Sequence, residues 1–112
     1  MRRDQRDPAF LADMLHFALE VVEFTGGVSL ETYQGSLQVR RATERSIELI
    51  GEAARRVSEA TKEEIADVPW RNIIGLRILL VHEYGDINDP QLWEAATVDV
   101  PLLVEQLRRV LQ

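Results

Sequence analysis

Apolar residues recur at the spacing of an α-helix along most of this chain, which limits the fold to helices packed on helices. No segment shows the apolar and polar alternation of a β-strand over a useful length. Residues 8–25 give the clearest case, because two adjacent apolar stripes form one broad face there. The stripes are Phe10, Met14, Phe17, Val21 and Phe24, and Leu11, Leu15, Ala18 and Val22. The sequence therefore predicts an all-α protein.

Start and stop signals divide the chain into helical regions. Gly26-Gly27 should end the first helix, and a short helical turn is expected at residues 30–33. Good helix formers throughout residues 36–60 predict a long second helix. Its small residues next to Gly51 would let another helix approach closely.

Two further helices follow. The segment Asp67-Val68-Pro69 is typical of a helix start, with Asp67 as the cap, and predicts a third helix over residues 69–81. A fourth helical region begins near residue 89, and Pro101 should kink or split it, with Asp99 available as a new cap. We therefore predict a single domain, residues 1–112, folded as an antiparallel, up-and-down four-helix bundle.

Composition bounds the function. The chain has no cysteine and a formal net charge of −6, which excludes thiolate chemistry and argues against tight non-specific binding of nucleic acid. The amino terminus does not resemble a secretion signal, and the longest apolar run is far shorter than the roughly 20 residues that span a bilayer. We expect a cytoplasmic protein with no membrane segment, and any RNA contact must be local.

Arg77 is the main anomaly, because it interrupts an otherwise apolar run from residue 73 to residue 81. A guanidinium among aliphatic side chains must find an anionic partner or a ligand. Glu48 and Glu52 on the long second helix could neutralise it within the subunit. A functional arginine that meets an anionic ligand is the alternative, and the residues alone leave both open.

His82 and Tyr84 follow Arg77 at a spacing that chance seldom produces in one short segment. A lone histidine or tyrosine at a helix end more often has a structural role. The prediction of a functional site therefore depends on the combination of Arg77, His82 and Tyr84. On a regular helix Arg77 and His82 would point roughly 140° apart. Either the helix unwinds before His82, or two copies of the motif meet across a twofold axis, which predicts a homodimer.

These residues resemble the HepT-like branch of the HEPN superfamily. The resemblance is carried by residues 70–77 (WRNIIGLR) and 82–84 (HEY), by residues 48–54 (ELIGEAA), and by Trp93 with residues 100–103 (VPLL). It implies a dimeric helical bundle that acts as the ribonuclease toxin of a toxin–antitoxin pair. Arg77 and His82 would then form the nuclease site between two subunits. Tyr84 would be the residue to which a nucleotidyltransferase antitoxin attaches AMP.

The residue types suit this chemistry without a metal or another cofactor. A neutral imidazole can take the proton from an RNA 2′-hydroxyl, and a guanidinium can stabilise the phosphorane that forms. Ile78 departs from the pattern, since many family members have a polar residue directly after the arginine. A catalytically inactive adaptor that binds a nucleotidyltransferase, and a purely structural dimer in which Arg77 closes a salt bridge with Glu48 or Glu52, are therefore the alternatives.

Overall fold

The computed structural model describes residues 4–81 and 89–111, without the side chains of residues 77–79, 81 and 89. Most residues in these two ranges are helical, and none is in a β-strand. The predicted all-α class is therefore confirmed. The helices are α1 (Asp7–Thr25), α2 (Leu30–Gly35), α3 (Leu37–Arg56), α4 (Glu59–Glu64), α5 (Trp70–Val81), α6 (Asp89–Glu94) and α7 (Val100–Leu111), and a π-helical turn (Ala95–Asp99) joins α6 to α7.

The glycine pair ends α1 as predicted. Gly26 takes an extended conformation and its N–H donates to the Val22 carbonyl, which satisfies one carbonyl of the last turn. Gly27 follows with φ of 73°, a backbone conformation that side chains with a Cβ seldom adopt. The chain therefore reverses direction here without a longer loop.

Serine caps set the next two helices. Ser29 Oγ accepts a hydrogen bond from the Thr32 N–H, and Ser36 Oγ accepts one from the Val39 N–H. Each bond satisfies one of the free N–H groups that a helix start leaves. The short helix expected near residues 30–33 is thus present as α2.

The predicted long helix over residues 36–60 is wrong at its carboxyl end. Helix α3 stops at Arg56, Val57 is extended, and Ser58 caps the separate helix α4. The buried Asp7 carboxylate accepts hydrogen bonds from both the backbone N–H and the hydroxyl of Ser58. These long-range bonds stabilise a break that helix propensity does not reveal.

Two further boundaries differ from the predictions. Helix α5 begins at Trp70, and among the described residues Asp67 offers its carbonyl to Gln106 rather than its side chain as a cap. The fourth helical region is split ahead of Pro101, as predicted, but not by a new helix capped at Asp99. A π-helical turn precedes Pro101 instead, and the Val100 N–H donates to the Ala95 carbonyl. The wider turn absorbs the strain of a proline, which lacks an N–H and crowds the preceding turn.

The long helices share one core. Helix α3 packs on α1 and α5, and α1 also packs on α7. The described parts of α5 and α7 pack mainly on other helices rather than on each other. The predicted small residues of α3 are buried, which brings α5 close. The largest fully buried apolar side chains come from most of the helices: Met14, Tyr33, Ile47, Ile50, Leu92, Leu103 and Leu107.

Hydrogen bonds and a ring contact define two ends of the molecule. Asp7 at the start of α1 binds Ser58 and Thr61, and Gln106 near the end of α7 binds the Asp67 carbonyl just before α5. We call this the Asp7 end. The opposite end holds α2, α6 and the ring contact between Tyr33 and Trp93, and we call it the Tyr33 end. Helix α5 therefore runs from the Asp7 end toward the Tyr33 end.

Candidate functional site

Arg77 lies in the last half of α5, near the Tyr33 end. It comes seven residues after Trp70 and four after Ile73, both of which are buried. At 3.6 residues per turn these three positions share one side of the helix. The backbone register thus aligns position 77 with two buried residues along α5.

The remaining motif residues lie outside the described residues. Helix α5 is described to Val81, so His82 and Tyr84 follow its last residue, and the side chains of Arg77 and Ile78 are also outside the description. The roles expected of Arg77, His82 and Tyr84 therefore stay predictions. The structure describes only the backbone of Arg77 among them, in the second half of α5.

Glu48 and Glu52 both carry cationic partners on their own helix. The Glu48 carboxylate lies 2.5 Å from Arg45, and that of Glu52 lies 2.8 Å from Arg55 and 3.4 Å from Arg56. These carboxylates are partly exposed, so the pairs contribute little to stability. Whether either glutamate also meets Arg77 stays a prediction.

An aromatic pair marks the Tyr33 end. The Tyr33 side chain is fully buried, and its ring centroid lies 5.0 Å from that of Trp93, with the planes tilted by 47°. Trp93 itself is partly exposed on α6, directly after the segment that carries the motif. Its buried partner Tyr33 was not foreseen, because a single tyrosine in a short polar helix gives no periodic signal.

Exposed apolar side chains run along one side of α7. Val98 is 58% exposed and Leu102 is 49% exposed, about one turn apart. Gln106 follows after another turn, and its Nε2 donates to the Asp67 carbonyl at 2.9 Å. Its Oε1 is buried and accepts no hydrogen bond within the described part of the chain. We call this side, where Val98 and Leu102 are exposed and Gln106 is buried against the segment that leads into α5, the α7 face.

Sequence reasoning also missed a buried carboxylate at the Asp7 end. Asp7 is 3% exposed and accepts hydrogen bonds of 2.6 Å from the hydroxyls of Ser58 and Thr61. Burial raises the pKa of this carboxyl, but the hydrogen bonds from Ser58, Thr61 and the Asp4 N–H outweigh burial and the pKa is lowered. The nearby exposed Asp4 has its pKa lowered to about 2 by the Arg6 guanidinium.

A depression of about 650 Å³ opens beside Asp7, between the start of α1 and the end of α7. Apolar side chains, among them Leu11, Ile65 and Val110, form much of its lining. It lies at the opposite end of the molecule from the carboxyl end of α5. This depression is thus separate from the expected chemistry.

The all-α fold of the described residues and the sequence motif together are typical of small helical domains that carry an arginine and a histidine five residues apart in sequence. Within that class the chain belongs to the HepT-like ribonuclease family. The family described as "Ribonuclease HepT-like" matches residues 14–110, which is most of the chain and includes the whole motif.

Individual relatives agree with the family. The chain is 35% identical to a "Putative RNase" of Methanocaldococcus jannaschii, over 91% of this chain and 94% of the relative. It is 33% identical to one of Caldanaerobacter subterraneus, over 92% of both chains. It is 29% identical to "Probable ribonuclease HepT" of Thermococcus cleftensis, over 97% of this chain. No solved structure matches it. Among the described residues, no helix combines the length and the apolarity needed to cross a bilayer.

Proposed function

We propose that this chain is a metal-independent RNA endonuclease whose site consists of Arg77 and His82 from two protomers. The family match over residues 14–110 is the observation that carries the proposal, since it spans the motif and both flanking helices. The alignment of position 77 with two buried residues along α5 supports it, because an arginine in that position needs an anion. A phosphate of RNA is such an anion.

The reaction follows from these residue types. The His82 imidazole takes the proton of a 2′-hydroxyl, and the 2′-oxygen attacks the adjacent phosphorus. The bond from phosphorus to the 5′-oxygen breaks, and an imidazolium on the opposite side returns a proton to that oxygen. The products are a 2′,3′-cyclic phosphate and a 5′-hydroxyl. Arg77 stabilises the charge that gathers on the phosphorane oxygens.

Dimerisation completes the site in this proposal. The α7 face offers the exposed side chains of Val98 and Leu102. A twofold contact would remove these apolar side chains from water. The long helices α1, α3, α5 and α7 would form a four-helix bundle in each protomer, and the pair of protomers would supply both base and acid.

The protein would serve as the toxin of a toxin–antitoxin pair in the cytoplasm. Its antitoxin would be a nucleotidyltransferase that transfers AMP to Tyr84, next to the site. The only other tyrosine is Tyr33, whose side chain is fully buried and unavailable to an enzyme. A bulky anion on Tyr84 would repel the phosphates of RNA and thereby block cleavage.

Cleavage of a single-stranded RNA by the purified protein, in the presence of a chelator, tests the activity. We expect His82→Ala to lower kcat by about 100-fold or more, the contribution typical of a general base. His16→Ala is the matched control, because His16 is the only other histidine and lies exposed on α1 beside Glu20. Equal cleavage by the wild type and His82→Ala would remove the proposed site.

Co-expression with a neighbouring nucleotidyltransferase tests the partner. We expect the intact mass of the wild type to increase by whole AMP groups, and that of Tyr84→Phe to stay unchanged. Binding of the partner together with no cleavage of any RNA would favour the adaptor function, for which Ile78 is the specific argument.

A further inference from the structure

The partly exposed Trp93 ring is held in a fixed position at the Tyr33 end. Its partner Tyr33 is 0% exposed, so the ring that supports Trp93 is itself immobilised by the core. The Thr97 hydroxyl donates to the Trp93 carbonyl at 2.7 Å and stabilises the local backbone. A large aromatic surface is thus preorganised before any ligand arrives, which lowers the entropic cost of binding.

The indole of Trp93 also has a free donor. Its N–H makes no hydrogen bond with the described part of the chain, and it is not among the buried unpaired atoms, so it reaches the surface. Trp70 provides the contrast, because it is buried and its Nε1 donates to the Ile65 carbonyl at 3.0 Å. One tryptophan is therefore fully used by the fold, whereas the other keeps a ring surface and a donor for a ligand.

Topology brings this ring close in the chain to the proposed site. Helix α5 runs toward the Tyr33 end, and α6 begins seven residues after His82 and carries Trp93 in its last turn. Seven extended residues reach at most about 25 Å, so the start of α6 lies within that distance of the histidine. An RNA strand of a few nucleotides spans such a distance.

The charge of the chain favours a contact with a base. The chain has a net charge of −6, and the arginines Arg41, Arg45 and Arg55 are paired with glutamates on their own helix. A contact that does not depend on neutralising phosphates would therefore add to the affinity for RNA. Stacking of an unpaired base on an aromatic ring depends less on charge and contributes about 1–3 kcal/mol per base.

We propose that Trp93 binds an unpaired base of the RNA substrate, packed against the indole ring that Tyr33 holds. This inference rests on the proposed ribonuclease function and adds to it a preference for single-stranded RNA. The exposed N–H would donate to an oxygen of the same nucleotide strand. A base within a duplex is already stacked on both faces and would not be available to the ring.

Intrinsic fluorescence tests the contact directly, because the chain has only two tryptophans. The probe is a single-stranded 2′-O-methyl oligoribonucleotide, whose blocked 2′-oxygens prevent cleavage. We expect the probe to quench the emission of the wild type and to leave that of Trp93→Phe, which retains only the buried Trp70, unchanged. The same probe annealed to its complement should not quench the wild type.

Kinetics separates this role from a structural one. We expect Trp93→Leu to raise KM by about tenfold with little change in kcat, and Trp93→Phe, which keeps an aromatic ring, to raise it less. Circular dichroism should show unchanged helix content in both variants. Cleavage that depends on His82 but shows no quenching and no change of KM in Trp93→Leu would overturn this inference and leave the proposed function intact.

Two other results would also overturn it. An emission from Trp93 that changes on dilution of the protein but not with RNA would identify a contact between protomers. Absence of both binding and cleavage of RNA would reject the proposed function, and this inference with it.

Discussion

At the scale of single residues, Asp7 shows how one buried carboxylate fixes the boundary between two helices. It accepts two hydrogen bonds from Ser58 and one from the Thr61 hydroxyl, which together connect the start of α1 with the start of α4. An ionised acceptor makes stronger hydrogen bonds than a neutral one. The connection therefore depends on the charge of Asp7 as well as on its shape.

We expect Asp7→Asn to lower the free energy of unfolding by about 2–3 kcal/mol. The amide cannot accept all the hydrogen bonds of the carboxylate, and its NH₂ group would face donors in a buried site. Chemical denaturation at pH 7 measures the loss. Asp13→Asn is the matched control, since Asp13 is exposed on the same helix, and a loss of similar size there would contradict this account.

The same carboxylate predicts how stability depends on pH. The pKa of Asp7 is lower in the folded protein than the ordinary value of 3.8. Its stabilisation is therefore fully present above about pH 4 and is lost as the pH falls through the folded pKa. We expect the Tm of the wild type to fall below pH 4 more steeply than that of Asp7→Asn. Parallel curves for the two proteins would show that Asp7 is not the group responsible.

At the scale of elements, two glycines near the ends of helices should respond oppositely to the same substitution. Gly27 has φ of 73° with open space around it, so a Cβ there would strain only the backbone. Gly35 ends α2 with open space and no such backbone conformation. We expect Gly27→Ala to destabilise by about 1 kcal/mol and Gly35→Ala to be neutral or stabilising by up to about 1 kcal/mol. Thermal unfolding of both variants checks the signs, and a Gly27→Ala at least as stable as the wild type would refute the strain.

Local signals allowed part of this element structure to be predicted. The glycine pair after α1 and the serine cap of α2 act within four residues, so the sequence alone reveals them. The break after Arg56 depends on Asp7, which lies 51 positions from Ser58 in the chain. The π-helical turn before Pro101 likewise replaces the expected cap at Asp99. The break depends on a tertiary contact, and a helix can accommodate a proline in more than one way. The periodicity of apolar residues encodes neither of these.

The candidate site, too, could be predicted from the sequence only in part. The motif itself and the register of position 77 follow from the spacing of residues on α5, because a helix fixes relative direction. The partners of Glu48 and Glu52 could not be chosen in advance, since several arginines on α3 lie at suitable distances in sequence. The pairing of Trp93 with Tyr33 joins α6 to α2, two short helices far apart in the chain, and only the fold brings them together.

At the scale of the whole molecule, the proposed dimer makes the α7 face a requirement for activity. Leu102 is 49% exposed and lies one turn before Gln106, which binds the segment that leads into α5. A carboxylate in the centre of an apolar interface would be buried without a partner. We expect Leu102→Asp to weaken association by at least about 2 kcal/mol, which is about thirtyfold, and to lower cleavage in proportion at dilute protein.

Sedimentation velocity and RNA cleavage, measured over the same range of protein concentration, check this expectation. Leu19→Asp is the matched control, because Leu19 is 37% exposed on α1, a helix that packs on α3 and α7 rather than on α5. A single aspartate at an exposed position should not disturb the fold of the protomer. Both variants should therefore keep the helix content of the wild type. If Leu102→Asp remained dimeric, the α7 face would not be the interface. If it became monomeric yet kept full activity, one protomer would suffice for catalysis, and the acid and base would have to come from the same chain.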